Sequence, residues 1–411
     1  MGFSFGLANG FSVLIAQSYG ARDIETLRHR FAAVIELGTI LAILLTTASV
    51  LFLPHALRLL RTDELIIGES LKYGYIVFGG LSAGICYNIS GSILRAFGDS
   101  RTPLIAIIVS SVLNLALDSF FIFVLHTGVE GAAIATLASQ VVSSVICIRR
   151  LRQIEFLRLE RRHFINDRKV FTELLGNGLP MAFMNSITAI GCMVVQYFVN
   201  GFGVVYTAAY AACTKYLNLF MNPAATAGSA ITAYTSQNYG ARQYRRIRDG
   251  LIVCVGIAVT SYLLLGSLMV FMPSRLAGFL LSGDEQIALV SDFLPRCGVM
   301  MISLNILFVV RSVVQGMGKP MLPMVSGILE MVLRILVISL FIGRVGFRAT
   351  AYAEMSAWTG ALIVNACALY AALAPLLSGT ERASKTKKAQ GRCASFLMPA
   401  HHDIGSCSDR Y

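Results

Sequence analysis

Two pairs of polar side chains stand four residues apart in otherwise apolar sequence: Asn114 and Asp118 in LNLALDSFF, and Glu330 and Arg334 in GILEMVLRI. On a helix that spacing puts both members on one face. A carboxylate deep in an apolar membrane segment costs roughly 2.5–3.5 kcal/mol on insertion scales, so it needs a partner or a task. Burial favours its neutral form and a nearby cation its charged form. Asp118 could therefore alternate between the two, which is the chemistry of a proton or cation site. The plainer reading is that Asn114 and Asp118 tie helices together by hydrogen bonds. Glu330 and Arg334 can neutralise each other as an internal ion pair, or open so that Glu330 meets a cationic substrate. Asn185, Gln196 and Asn200 form a polar line that either faces a cleft or joins helices. Lys215 lies about two turns inside its helix, where it either snorkels to the outer interface or lines a cleft.

The elements that must hold these residues follow from composition. Of 411 residues, 56% are hydrophobic and 14% charged, against roughly 25% charged in soluble domains. Apolar runs of membrane-spanning length recur, at 3–18, 31–53, 73–96, 102–125, 129–148, 174–200, 207–236, 250–272, 293–316, 320–342 and 349–374. This predicts an all-α polytopic membrane protein with about eleven spans. The first segment has neither a basic n-region nor a cleavage site and reads as a membrane helix. No HExxH or Walker motif occurs, so neither an enzyme nor an ATP-driven pump is expected. The nine cysteines contain no CxxC pair, and Cys393, His401, His402 and Cys407 fit no usual zinc spacing. No metal or other cofactor is expected.

The net charge of +12 lies mostly in loops. Segments 20–30, 95–101, 149–170, 238–249, 311–320 and the tail after 375 hold 25 of the 34 Lys and Arg, and they alternate along the chain with loops that hold seven. Positive loops stay cytoplasmic, so the basic set and the C-terminus are expected inside, in a multi-pass plasma (inner) membrane protein with no nucleic-acid partner. Residues 149–170 are expected to form a surface helix joining an N-terminal lobe (1–148) to a C-terminal lobe (171–375). Residues 376–411 are expected to be a basic, disordered cytoplasmic tail.

The chain also repeats itself. AQSYGAR at 16–22 returns as SQNYGAR at 236–242, and ILRAFGDSRTP (93–103) falls on VVQGMGKPMLP (313–323) at the same offset of 220. LHTGVEGAAIAT aligns loosely with IGRVGFRATAYA after a two-residue slip. Parallel copies imply two lobes about an axis along the membrane normal. The offset puts the counterpart of span 174–200 before Met1, so a six-plus-six design is expected to begin upstream of this chain. Pro223 and Gly228 in one helix, Gly6 and Gly10 in its counterpart, and Pro180 are expected to interrupt or kink their helices.

Together, AQSYGAR, LRAFGDSRTP, NLALDSFFIF and GVEGAAIATLASQ, with the stretch from AAYAACTKYLNLF to SQNYGAR, resemble the multidrug and toxic compound extrusion (MATE) transporters over about residues 5–375. The resemblance implies two pseudo-symmetric six-helix lobes of the MATE/MOP type, here without the first helix and part of the second. It implies a monomeric secondary antiporter that exports drugs and other small, mostly cationic, organic molecules through a bilayer in exchange for H+ or Na+. The absence of carboxylates in 174–200 and 297–312 disfavours the NorM-like branch. In the DinF-like branch the positions of Asn114 and Asp118 form a cation site, Thr136 falls on a hydroxyl partner and Tyr73 on a polar aromatic near the outer end. The family's central acidic group lies on the first helix, which this chain lacks. A lipid-linked or polysaccharide flippase of the same superfamily, for which Lys215 and Arg334 give slight support, and an inactive truncated fragment are the alternatives.

Overall fold

In a bilayer every backbone polar group must be satisfied within its own segment, which leaves helices as the natural form for sequence this apolar. The computed structural model describes residues 2–59, 64–164 and 167–396. Along the chain run α1 (Gly2–Gly20), α2 (Ile24–Leu59), α3 (Glu64–Gly79), α4 (Leu81–Ala96), α5 (Arg101–Ser119), α6 (Gly128–Arg152), α7 (Arg168–Asn200), α8 (Val204–Gly240), α9 (Tyr244–Ser261), α10 (Ser267–Phe271), α11 (Pro273–Leu280), α12 (Asp284–Gly316), α13 (Met321–Val345) and α14 (Arg348–Phe396). π-helical turns follow α5 at Phe120–Val124 and α9 at Tyr262–Gly266. α3 with α4, and α9 with α10, each make one membrane-length rod. All eleven expected spans fall on helical rods.

Among the described residues nine rods are long and apolar enough to cross a membrane; α1 and α8 are not among the nine. Their sequences carry Asn9, Ser12, Gln17 and Ser18, and Thr226, Ser229, Thr232 and Ser236. Both are of membrane length. They are also each other's counterparts in the repeat. The least lipid-like helices thus lie at the middle of the molecule, against each other.

The repeat is written in the backbone. Arg22 (φ 59°) and Arg242 (φ 57°), 220 residues apart, both take the left-handed conformation that side chains avoid. Gly98 (φ 88°) matches Gly318 (φ 74°) at the same offset. Gly128 and Gly346, both at φ 60°, are 218 apart and fix the expected two-residue slip. Turn chemistry supports these corners. Asp99 accepts from the Thr102 backbone N (3.0 Å) and Oγ1 (2.8 Å) and from Arg150 Nε (3.1 Å), so α5 is capped and tied to α6. Burial pushes the Asp99 carboxyl up, but these bonds win and hold it below the usual carboxylate range.

Three expectations change. The 149–170 connection is not a surface helix: α6 ends at Arg152 and the chain continues as extended backbone with 3-10 turns at Glu155–Leu157 and Arg161–His163. Its apolar residues Ile154, Phe156, Leu157 and Leu159 lack helical spacing and pack into the core of the first half, with Phe156 beside Tyr19 and Phe97. The 376–411 tail is helical as far as Phe396, because α14 continues past Pro375; residues 397–411, with His401, His402 and Cys407, lie outside the described residues. Nor do the glycines break their helices. α1 and α8 are continuous, and Gly6 and Gly10 instead let α1 lie against α7: a Cβ on either would sit 2.5 Å from that helix's backbone.

Candidate functional site

α1, α4, α7, α8 and α12 converge on a central cavity of about 270 Å³. α1 presents Phe5, Asn9, Ser12 and Ala16 to it, and α8 presents Ala225, Ser229, Thr232 and Ser236, each set on one helical face. These four pairs are related by the offset of 220, as are Ser92 and Ser312 on α4 and α12, and Arg95 and Gln315 one turn further on. The cavity therefore lies on the pseudo-two-fold axis. Its polar wall is hydroxyl and amide, with two cations and no carboxylate among the lining residues. Arg95 Nη2 donates to Ser92 Oγ (2.9 Å), which donates to Asn9 Oδ1 (3.0 Å). Apolar parts of the wall come from Phe5, Met181, Met184 and Phe308.

Directly below Ala16 and Ser236, at the end bearing the basic loops, two reciprocal contacts close the axis. Gln17 Nε2 donates to the Gly316 carbonyl at the end of α12 (3.1 Å), and Gln237 Nε2 to the Ala96 carbonyl at the end of α4 (2.6 Å). Donors and acceptors are both 220-residue counterparts. Between them α1 and α8 touch backbone to backbone. A Cβ on Gly20 would lie 1.9 Å from the Gln237 carbonyl oxygen, and one on Gly240 2.0 Å from that of Gln17. Only glycine permits this approach. The repeated YGAR phrase thus supplies both halves of a seal.

The MatE family model matches residues 1–120 and 180–340. The chain belongs to the MatE family. It is 29% identical over 278 residues to the Bacillus subtilis "Probable multidrug resistance protein YoeA", covering 66% of this chain and 59% of that protein. It is 23% identical over 342 residues to the "FAD transporter" of Shewanella oneidensis, covering 81% and 75%. The chain thus spans less than two thirds of the first curated relative's length. The fold is that of a MATE transporter crystallised in a bent conformation (TM-score 0.86, 21% identity, 92% of this chain and 86% of that one). It is likewise that of a Pyrococcus furiosus MOP superfamily transporter described as having a binding pocket of reverse polarity (TM-score 0.84, 21% identity, 91% and 85%).

In this MatE chain the sequence-predicted residues fall in three places. Asn185 lines the central cavity and donates to the Gly2 carbonyl (3.3 Å). Gln196 and Asn200 bond each other (2.7 Å) at the far end of α7, and Lys215 is exposed on α8; none of the three is on the cavity wall. Glu330 and Arg334 are buried and paired at 3.0 Å, yet they are half of a larger group. Glu330 also holds Arg311 (2.7 Å), a cavity residue, and Arg334 holds Glu354 on α14 (3.0 Å). Two arginines and two glutamates cancel, the arrangement a low-dielectric interior requires.

The Asn114–Asp118 pair sits apart from that group, on α5, which packs along α6 and ends in the π turn just after Asp118. Asn114 Nδ2 and Asp118 Oδ1 are buried atoms with no hydrogen-bond partner. Thr136 Oγ1 bonds back to the Ala132 carbonyl of its own helix (2.9 Å), and Tyr73 is exposed. Sequence reasoning missed Arg95, Arg311 and Glu354. By sequence Arg95 and Arg311 read as basic-loop residues, but both lie within helices, α4 ending at Ala96 and α12 at Gly316. The signal for Glu354 was the slip fixed by Gly128 and Gly346: at an offset of 218 it is the counterpart of Thr136.

Proposed function

We propose that this chain works as a secondary efflux transporter of the plasma membrane, exporting organic compounds in exchange for H+ or Na+. The observation that carries the reading is the central cavity on the pseudo-two-fold axis, closed by the reciprocal glutamine–glycine contacts on the basic-loop side. A pocket shared by two similar lobes and shut at one end is what alternating access needs: rocking of the lobes would part the contacts there and close the cavity elsewhere. With the basic loops cytoplasmic, the described state is closed to the cytoplasm. The names of relatives, among them multidrug resistance proteins and a FAD transporter, support organic cargo.

The coupling cation is assigned to Asn114 and Asp118. An unpartnered carboxylate oxygen inside a membrane helix favours binding a proton or metal cation over remaining bare. Ion entry and cargo exit would then be linked through α5 and α6, which pack in turn on α4, the helix whose Ser92 and Arg95 line the cavity. Asp118→Asn is expected to abolish ionophore-sensitive dye efflux from a sensitive host while the protein still reaches the membrane. Full efflux in that variant would remove Asp118 from the mechanism.

A further inference from the structure

The central cavity carries a charge that no carboxylate among the described residues neutralises. Arg311 belongs to the group that Glu330, Arg334 and Glu354 bring to zero. Arg95 has no such partner: among the described residues its guanidinium meets no carboxylate, and its side-chain hydrogen bonds involve only the neutral Ser92 and Tyr87 hydroxyls. Its counterpart in the second lobe is Gln315. The wall therefore holds one net positive charge in a chamber otherwise lined by hydroxyls, amides, methionines and phenylalanines. A guanidinium stays protonated at any biological pH, so it cannot relieve the cost by losing its proton. An uncompensated cation in the interior of a membrane protein attracts an anion from whatever enters. The same charge repels a cationic guest.

We infer that the cargo of this cavity is an amphiphilic organic anion, with its carboxylate, sulfonate or phosphate on Arg95 and its apolar body against Phe5, Met181, Met184 and Phe308. This rests on the reading of the cavity as a transport site, and it departs from the cationic cargo that the family resemblance implies. Arg95 suits the task because its planar fork can give two parallel hydrogen bonds to such a group. The bond to Ser92, itself bonded to Asn9, fixes the side chain before the guest arrives. Arg311 lies on the same wall with a buried Nε that has no hydrogen-bond partner. It supplies a second positive group close to the site without adding net charge.

The test uses two xanthene dyes of similar skeleton and opposite charge, anionic fluorescein and cationic rhodamine 123. Binding is measured on the full chain in detergent, and export from cells expressing it. The expected result is tighter binding and faster export of fluorescein, with Arg95→Gln weakening fluorescein by about tenfold or more and Arg95→Lys retaining part of the affinity. The fluorescein preference of the unaltered protein needs no variant, so a misfolded Arg95→Gln would not shelter the inference. Preference for rhodamine 123, or unchanged fluorescein affinity in a folded Arg95→Gln, would overturn the anionic assignment and leave the transporter reading in place. If neither dye is bound or exported, the transport reading fails and this inference with it.

Discussion

The two halves of the molecule place different chemistry at matching positions. In the first half, α5 carries Asn114 and α6 carries Thr136; the counterparts in the second half are Arg334 on α13 and Glu354 on α14. α13 lies between α7 and α14, and its charges close on themselves through Glu330, Arg334, Glu354 and Arg311. α5 packs chiefly on α6, with only Pro103 and Ala106 of its residues buried, and Asp118 Oδ1 is left without a partner among the described residues. One half holds its counter-ion permanently as an arginine; the other leaves a buried carboxylate oxygen unpaired among the described residues. Duplication supplied the same scaffold twice, and the divergence of a few side chains made one copy a fixed anchor and the other a candidate switch.

The contrast can be broken most severely at Glu330. Glu330→Ala leaves the buried Arg311 and Arg334 without their shared carboxylate, and removing one partner of a buried pair costs about 3–5 kcal/mol. The thermal midpoint of the purified protein should fall sharply. Asp118→Asn should leave that midpoint nearly unchanged while efflux is lost, because among the described residues its buried Oδ1 has no partner to abandon. A large stability loss in Asp118→Asn would make the two halves alike and sink the distinction.

A smaller effect is expected at the seal. Gly20→Ala or Gly240→Ala inserts a methyl where a carbonyl oxygen already stands, and overpacking of this kind costs about 1–3 kcal/mol. The strain bears on the contact between lobes, so a cysteine at Ser236 should become more reactive from the basic-loop side in oriented vesicles. Unchanged labelling would mean that this contact is not what closes the cavity. The smallest effect is predicted for Lys215, exposed on α8 with no ion pair among the described residues: Lys215→Ala should stay within about 0.5 kcal/mol of the parent. Any marked loss of efflux there would return Lys215 to the substrate path.

Much of this was legible in the sequence, and the illegible part has a common cause. The spans follow from apolar length, and the repeat follows from two copies of YGAR and of the turn glycines. The Glu330–Arg334 pair is local, one helical turn, so spacing alone reveals it. Arg311 and Glu354 reach the same group from neighbouring helices, 19 and 20 residues away from their partners. No periodicity encodes that; only the packing of α12, α13 and α14 does. Arg95 was hidden for a different reason. An arginine one residue from a helix end looks like a positive-inside marker, and whether it faces water or the axis depends on how α4 is rotated. The linker misled because its charge density suggested a solvated helix, whereas its apolar residues are anchors pressed into the first half.

The paired contacts at the basic-loop end have one more property. Gln17 reaches the end of α12 as Gln237 reaches the end of α4, and Gly20 meets the Gln237 carbonyl as Gly240 meets that of Gln17. Such mutual contact, each patch meeting its own twin, is the isologous interface of a symmetric homodimer. The surface is self-complementary although it joins two parts of one polypeptide. A protein of half this length bearing a single YGAR copy could make the same joint with a second molecule of itself, and the covalent linker would then be a refinement of a dimer already able to assemble.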